Sequence, residues 1–388
     1  MSRSRWFVLL GPPLLAVAAG SSVLASVSPG AVTGTSPTPR PPAACGAAPS
    51  TPGNTLGTWW HQDPIIDAAG ALKGWTLQVG TAGGAIVGGT AGADHVPAGP
   101  VAQPTLISLP PASLVSGPDR GRVIVSVDDG RRSTVRIVDA ASGCARSLDF
   151  GPAVARRAVA DPAGSGVLVH LLDRNTRADL GIWRVTADGQ PMTRVLAPLD
   201  ADAQARAGIG RVWTTALRAS ADGMRLAVQS CDPNACLTRV LDLQTGGLSI
   251  LSGEQGDIVG FAGERIITMA ACHGLPCGVL SWATDGSRPA ALEPAALAAA
   301  VSPDGRVVVV VADGSGRTHA RVSDAAGGNR RSLGPLAAEA LIASGGSATS
   351  GIEAGPDAVG ILAPTGVPAV LALDSATSPV TPAPEVQP

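Results

Sequence analysis

A repeated pattern of strand, tight turn and strand runs through this chain, and its clearest copy spans residues 301–335. The copy opens with SPDG at 302–305, where proline presets φ, aspartate bonds its own backbone and glycine supplies positive φ. The run RVVVVV at 306–311 lacks polar alternation, as expected of a strand that is buried on both faces. A loop at 313–316, a third strand, a second tight turn at 324–328 and a short fourth strand follow. Each copy therefore predicts four antiparallel strands.

Five further copies of the second strand lie along the chain. They are RVIVSV at 122–127, GVLVHLL at 166–172, RLAVQS at 225–230, RIITMAA at 265–271 and AVGIL at 358–362. The glycines of the second tight turn, from Gly143 to Gly328, recur at intervals of roughly 40–60 residues, close to the period of propeller blades. No segment shows a sustained helical period. The predicted fold class is all-β, a β-propeller of four-stranded antiparallel blades, and the length of the repeat region favours seven blades over six.

Two turn motifs resemble those of a known group of proteins. SPDG at 302–305 with the following Arg306, and the D-x-x-[ST]-G turns at 139–143 and 242–246, resemble repeats of the TolB-like and WD-repeat-like propellers of secreted bacterial proteins. The resemblance covers roughly residues 105–376. It implies the fold but no particular activity, because propellers host many functions.

The two ends of the chain are predicted to lie outside the propeller. Residues 1–25 contain two early arginines, an apolar stretch and small residues at a candidate cleavage site, which predicts a secretory signal peptide. The alternative is an uncleaved anchor, which a proline pair and the shortness of the apolar run disfavour. Residues 26–55 and 377–388 are rich in Pro, Ser, Thr and Ala and are predicted to be disordered. Residues 56–376 form the predicted propeller, whose ring an N-terminal strand is expected to close.

Six cysteines on an exported chain predict disulfide bonds. Cys231 is expected to pair with Cys236 and Cys272 with Cys277, each at the mouth between the second and third strands of consecutive copies. Cys45 and Cys144 are then left to each other. The alternative is a zinc site built from the four loop cysteines, which would require loops on separate blades to converge on one ion.

No motif in the sequence predicts catalysis or a cofactor. The net charge is −2 and only 15% of the residues are charged, which argues against nucleic acid as a partner. No G-x-S-x-G, HExxH or P-loop motif occurs, so no catalytic, cofactor-binding or metal-binding residue is predicted. His170 lies in a strand of the buried type, where a core role is expected. Trp59 and Trp60 are expected to pack in the core, with stacking on sugar rings as the alternative.

The variable loops are expected to share one face. Strand direction alternates, so the loops between second and third strands lie opposite the two tight turns, and function in rigid scaffolds concentrates in such loops. The predicted binding face consists of Asp128, Asp129, Arg131, Arg132, Asp173, Arg174, Arg177, Asp313 and His319. The alternative is a solvated rim whose charges serve solubility.

These patterns together predict a secreted or envelope-associated propeller that acts as a binding module and is monomeric. Its expected partner is a protein or a small polar ligand, and not a nucleic acid. No cofactor is expected, and no membrane span is expected after signal cleavage. The alternative function is an extracellular hydrolase or lyase that uses residues at the central funnel. Three or more Asp, His or Arg side chains converging there would favour the enzyme.

Overall fold

The structure is all-β in the residues that it describes. The computed structural model describes residues 43–44, 58–81, 105–119, 121–140, 142–164, 166–186, 192–206, 213–232, 235–251, 256–270, 277–287, 289–302, 304–335, 341–342, 350–352, 358–362 and 368–372. These residues form 28 strands and one helix, α1 at Ala201–Arg206. Within them, no helix has the length and apolar character needed to cross a membrane.

The strands are short, and most are five to seven residues long. In chain order they are β1 Ala43–Ala44, β2 Thr58–Ile66, β3 Leu72–Thr81, β4 Thr105–Leu109, β5 Ser113–Asp119, β6 Arg122–Asp128, β7 Ser133–Asp139, β8 Cys144–Asp149, β9 Ala153–Ala160, β10 Val167–Asp173, β11 Asp179–Val185, β12 Met192–Leu196, β13 Trp213–Ala219, β14 Arg225–Cys231, β15 Cys236–Asp242, β16 Leu248–Ile250, β17 Asp257–Ala262, β18 Arg265–Met269, β19 Cys277–Ala283, β20 Ala290–Ala296, β21 Ala298–Val301, β22 Val307–Ala312, β23 Thr318–Ser323, β24 Arg331–Pro335, β25 Leu341–Ile342, β26 Ser350–Ile352, β27 Ala358–Leu362 and β28 Pro368–Ala372.

The described strands form seven sheets, and six of these contain a four-stranded antiparallel unit. Four are simple meanders: β9 to β12, β13 to β16, β17 to β20 and β21 to β24. A fifth, β5 to β8, carries β1 as an additional parallel strand on β8. The sixth has the order β26-β2-β3-β4, and the seventh has three strands, β25, β27 and β28. The all-β propeller prediction is confirmed, while a count of seven complete blades stays a prediction.

The ring closes by pairing the two ends of the propeller. The innermost strands β5, β9, β13, β17, β21 and β25 each contact the next, and β26 contacts β5. In the closing sheet, β26 comes from the C-terminal part of the chain, and the other three strands come from the N-terminal part. An N-terminal contribution to closure was expected, but the sheet takes three strands from that end.

The core lies between neighbouring sheets, so the second strands β6, β10, β14, β18 and β22 are covered on both faces. In β22, Val307 and Val311 are both buried, as are the three valines between them. Trp60 is 2% exposed and packs with Leu77 and Val123, which confirms that it belongs to the core. Burial on both faces therefore explains why these strands lack polar alternation, as predicted.

The tight turns follow the backbone chemistry that their residues demand. Gly305 has a φ of 88° and donates its N–H to the carbonyl oxygen of Ser302 at 2.9 Å. In the second turn type, the carboxylate of Asp242 accepts hydrogen bonds from the N–H groups of Gln244 and Thr245 at 2.9 and 2.7 Å. The sequence signals for these turns are local, and the structure confirms them.

Two described elements differ from expectation. β1 lies inside the segment that was predicted to be a disordered linker, yet it pairs with Cys144 and Ala145 of β8. The connection between β12 and β13 contains α1, which is too short to show a sequence period. The predicted signal peptide at 1–25 and the predicted tail at 377–388 lie outside the described residues.

Candidate functional site

The predicted binding residues lie on one face of the ring, here called the loop face. It is defined by the turns that join the second and third strands of each sheet. In five of the seven sheets these turns occupy residues 66–72, 128–133, 173–179, 231–236 and 312–318. Because the sheets are antiparallel meanders, the opposite face carries the SPDG-type turns. All nine residues of the predicted binding face are therefore placed on the loop face or in the strands next to it.

The aspartates of the loop face organise their own turns. Asp129 Oδ1 accepts hydrogen bonds from the N–H groups of Arg131 and Arg132 at 2.8 and 2.6 Å, and these bonds lower its pKa. Asp173 shapes the next loop in the same way, through hydrogen bonds from the backbone and hydroxyl of Thr176. Such Asx turns use the carboxylate locally. These two carboxylates therefore stabilise the turns in which they lie.

Asp313 behaves likewise in the loop between β22 and β23. Hydrogen bonds from the hydroxyl of Ser315 and the N–H of Arg317 outweigh partial desolvation and lower the pKa of Asp313 to about 2. His319 is half-buried near the start of β23, opposite Val311. The carboxylate of Asp313 thus stabilises its own loop.

Arg174 joins two neighbouring sheets. Its Nη1 donates to Asp128 Oδ1 at 3.0 Å, and the two side chains are 16% and 19% exposed. Arg131, Arg132 and Arg177 are exposed. Among the described residues of the loop face, one ion pair joins two sheets. The three exposed arginines are compatible with both a binding face and a solvated rim.

The disulfide between Cys231 and Cys236 is present, as the sequence predicted. It joins directly paired residues at the ends of β14 and β15, so it closes the mouth of that hairpin. Two of the four proposed zinc thiolates are thereby consumed, which excludes the four-cysteine zinc site.

The two other predicted disulfides are only partly described. Cys144 is disulfide-bonded, and β1, which directly precedes Cys45, runs beside it. Cys45 and Cys272 lie outside the described residues. The pairings of Cys45 with Cys144 and of Cys272 with Cys277 stay predictions.

Replacing both Cys231 and Cys236 by serine is expected to lower the free energy of unfolding by at most about 2 kcal/mol, because the bond closes only a short loop. The paired ends of β14 and β15 hold the loop together without it. Urea denaturation under non-reducing conditions measures the effect. A loss of more than twice this size would show that the disulfide does more than close its hairpin.

The longest hairpin among the described parts of the loop face was not predicted. β2 and β3 are nine and ten residues long, against seven for β6 and β7. Beyond His61 and Trp75, residues 62–74 of this hairpin pair only with each other among the described strands. We call residues 62–74 the ribbon.

The tip of the ribbon is apolar. Ile65, Ile66 and Leu72 are 41%, 51% and 37% exposed. The turn between them is closed by Asp67, whose carboxylate accepts hydrogen bonds from two backbone N–H groups and pairs with Lys73 at 3.0 Å. The adjacent isoleucines before an alanine- and glycine-rich turn were the available sequence signal. It was missed because this segment does not match the repeat.

Charged side chains also gather where the innermost strands meet. Burial lowers the pKa of Arg218 on β13, the charge of Arg157 on β9 lowers it further, and Asp119 and Asp257 raise it. Asp119 Oδ2 also accepts a hydrogen bond from the N–H of Ala160 at 3.0 Å. Four consecutive innermost strands therefore each contribute one charge, two positive and two negative.

Comparison with known proteins relates the chain to others by fold alone. No protein-family model and no curated protein matches it. Among solved structures it is similar to TolB from Acinetobacter baumannii, with 16% identity and a TM-score of 0.44 over 82% of this chain and 67% of that chain. It is also similar to oligogalacturonate lyase from Vibrio parahaemolyticus, with 9% identity and a TM-score of 0.46 over 83% and 88% of the two chains. The WD40 domain from Toxoplasma gondii coronin matches at 15% identity and a TM-score of 0.41 over 74% and 70% of the two chains.

With its four-stranded sheets arranged around a ring, the chain has the fold of a TolB-like and WD-repeat-like β-propeller.

Proposed function

We propose that this protein is a secreted or extracytoplasmic binding module that holds a partner protein through the loop face, with the ribbon as the main contact. The observation that carries the proposal is the exposure of Ile65, Ile66 and Leu72 together at one hairpin tip. Isolated exposed apolar residues are ordinary, whereas a cluster on a projecting element is typical of interaction sites. The Cys231–Cys236 disulfide supports an oxidising compartment.

The size of the apolar tip suits a transient contact. A stable interface buries about 800 Å² on each partner, and three side chains supply only part of that area. The remaining area would come from the neighbouring loops, where the exposed Arg131 and Arg132 offer charge-assisted hydrogen bonds at the rim. This division of roles favours a protein partner over a small polar ligand.

The alternative function is a hydrolase or lyase at the ring centre. The four charged side chains at the innermost strands meet the criterion of three or more converging Asp, His or Arg residues, but their chemistry gives this function weaker support. Arg157 and Arg218 stay protonated at working pH and hold anions well, but they do not take up a proton from a substrate. Of the two carboxylates, Asp119 already accepts the backbone hydrogen bond from Ala160. The described charges at the centre therefore suit binding better than acid–base chemistry.

Changing Ile65, Ile66 and Leu72 together to serine is expected to weaken partner capture at least tenfold, because an apolar contact of this size contributes about 1.4 kcal/mol or more. Lys73 is the only lysine in the sequence. Besides the α-amino group of the chain, Lys73 is therefore the one site for an amine-reactive photo-cross-linker, and it places the probe on the ribbon itself, next to Leu72. Cross-linking in a culture supernatant or envelope extract, followed by mass spectrometry, measures the capture.

The matched control changes Leu248 and Ile250 to serine. These side chains are 49% and 47% exposed on β16, the outermost strand of its sheet. This variant is expected to keep the wild-type cross-link, and both variants are expected to keep the wild-type melting temperature. Equal cross-linking by the ribbon variant and the wild type would refute the proposal.

A further inference from the structure

A polar cluster lies at the junction between the sheet β9 to β12 and the sheet β13 to β16. It consists of Arg157, His170, Asp179 and Arg239, and we call it the seam cluster. Arg157 and His170 are directly opposite each other on β9 and β10. Directly opposite residues of an antiparallel pair point to the same side of the sheet. The side chains of Arg157 and His170 are thus neighbours on one surface of the sheet.

That surface faces the next sheet along the ring. Leu168, two residues before His170 and on the same side of β10, packs against Leu226 and Leu241 of the next sheet. Arg239 lies on β15 two residues before Leu241, so it shares that residue's side of the strand. Arg239 therefore faces the cluster from across the junction.

The hydrogen bonds within the seam cluster leave two buried polar atoms without a partner. His170 Nε2 and Asp179 Oδ1 are 2.9 Å apart, and Asp179 also accepts the N–H of Gly181 at 2.7 Å. Arg239 Nη1 donates to the carbonyl oxygen of Ala197 at 3.0 Å. His170 and Arg239 are 2% and 3% exposed, yet His170 Nδ1 and Arg239 Nε have no hydrogen-bond partner. Buried polar groups of proteins are ordinarily satisfied, so these two call for an explanation.

The charges of the seam cluster do not balance. The seam cluster contains two arginines and one carboxylate, that of Asp179, which interacts with His170 and Arg239. No described residue forms an ion pair with the guanidinium of Arg157, whose charge also adds to that of Arg218 on the next innermost strand. Burial lowers the pKa of both arginines, and the neighbouring charge of Arg156 lowers that of Arg157 further. Excess buried positive charge is costly unless an anion accompanies it.

The backbone is irregular at the same place. β10 shifts register against β9 between His170 and Leu171, and against β11 between Leu171 and Leu172. Bulges of this kind re-aim side chains and are frequent beside binding sites. Asp179, at the loop-face end of β11, is 25% exposed, so the cluster borders on solvent from the loop face.

We propose that the seam cluster binds a small oxyanion, with Arg157 and Arg239 pairing with its oxygens and His170 Nδ1 contributing a further hydrogen bond. A planar guanidinium matches the paired oxygens of a carboxylate or a phosphate. The ligand is a carboxylate or phosphate group, free or carried on a small molecule. It occupies the junction between two sheets and is independent of the apolar ribbon that the proposed function uses.

Titration calorimetry with inorganic phosphate and with acetate, each against sodium chloride at equal ionic strength, tests the proposal. One equivalent of oxyanion is expected to bind, and to raise the melting temperature by about 2 °C at ten times Kd. Arg157→Gln is expected to weaken binding at least tenfold. Arg194→Gln, which removes an exposed arginine on β12, is expected to leave binding unchanged. Comparing phosphate with acetate distinguishes the two sources of the oxyanion.

Asp179→Asn provides the sharpest comparison, because it keeps a side-chain oxygen near His170 while removing the only carboxylate of the cluster. Oxyanion binding is expected to tighten three- to tenfold in this variant, whereas a purely structural cluster would bind nothing in either form. Arg239→Gln is also expected to weaken binding at least tenfold. If this variant fails to fold, Arg157→Gln tests the proposal by itself, because Arg157 is only half-buried. Absence of binding to the wild type, or equal binding by wild type and Arg157→Gln, would overturn the proposal.

Discussion

The Trp282→Ala variant is expected to lose about 3–5 kcal/mol of unfolding free energy, the largest effect of any single change considered for this chain. Trp282 is 1% exposed on β19 and packs against Leu251 and Ile266 in the core between two sheets. Its indole N–H donates to the hydroxyl of Thr268 at 2.9 Å. Alanine would leave a large cavity and an unsatisfied hydroxyl. Equilibrium denaturation in urea, followed by circular dichroism, measures the loss.

Trp282→Phe separates the two contributions. The phenyl ring keeps most of the packing but cannot donate to Thr268, so a loss of about 1–3 kcal/mol is expected from the unpaired hydroxyl and the smaller ring. If the alanine and phenylalanine variants lose the same unfolding free energy, packing of the indole is not its main contribution to stability. A loss below about 1 kcal/mol for alanine would contradict the buried position of this side chain.

Asp179→Ala is expected to cost about 2–3 kcal/mol, less than a fully buried ion pair because a quarter of the side chain is exposed. The change leaves His170 and Arg239 buried without their carboxylate. Asp149→Ala is the control, since Asp149 is exposed and its carboxylate caps only the N–H of Gly151. The control is expected to cost less than about 1 kcal/mol.

The effect of Asp179 is expected to depend on pH in a defined direction. Burial raises its pKa, but the hydrogen bond and charge of His170 and the charge of Arg239 outweigh burial, so the pKa lies below its ordinary value. A lowered folded-state pKa stabilises the protein fully above the unfolded pKa of about 4 and loses that contribution as the pH falls through the folded value. The gap in unfolding free energy between wild type and Asp179→Ala should therefore shrink as the pH falls from 5 to below 4. A gap that widens on acidification would contradict this assignment.

The turns and second strands of the repeat were predictable because their causes are local. Asp304 and Gly305 adopt their turn through bonds within a few residues, and β22 needs only a β-branched run to form a strand. The Cys231–Cys236 pair followed from spacing for the same reason. Local chemistry of this kind repeats along the chain, so the fold class could be predicted from its period.

The candidate sites were less predictable. The loops holding Asp129 and Asp173 were located correctly, but the use of these carboxylates within their own turns depends on backbone geometry. The ribbon was missed because its strands do not match the repeat, and its projection depends on where β26 and β4 stop pairing with β2 and β3. Pairing limits of this kind involve strands far apart in the chain.

The sequence by itself determined the all-β repeat, the turn types and the face on which the variable loops lie, because each rests on neighbouring residues or on strand alternation. Only the tertiary structure decided that β26 closes the ring on β2, and that Arg239 faces His170 across the junction between two sheets. Both contacts join residues that are distant in sequence. They exist because ring closure and sheet-on-sheet packing bring those surfaces together, and no local preference of the residues encodes the distance between them.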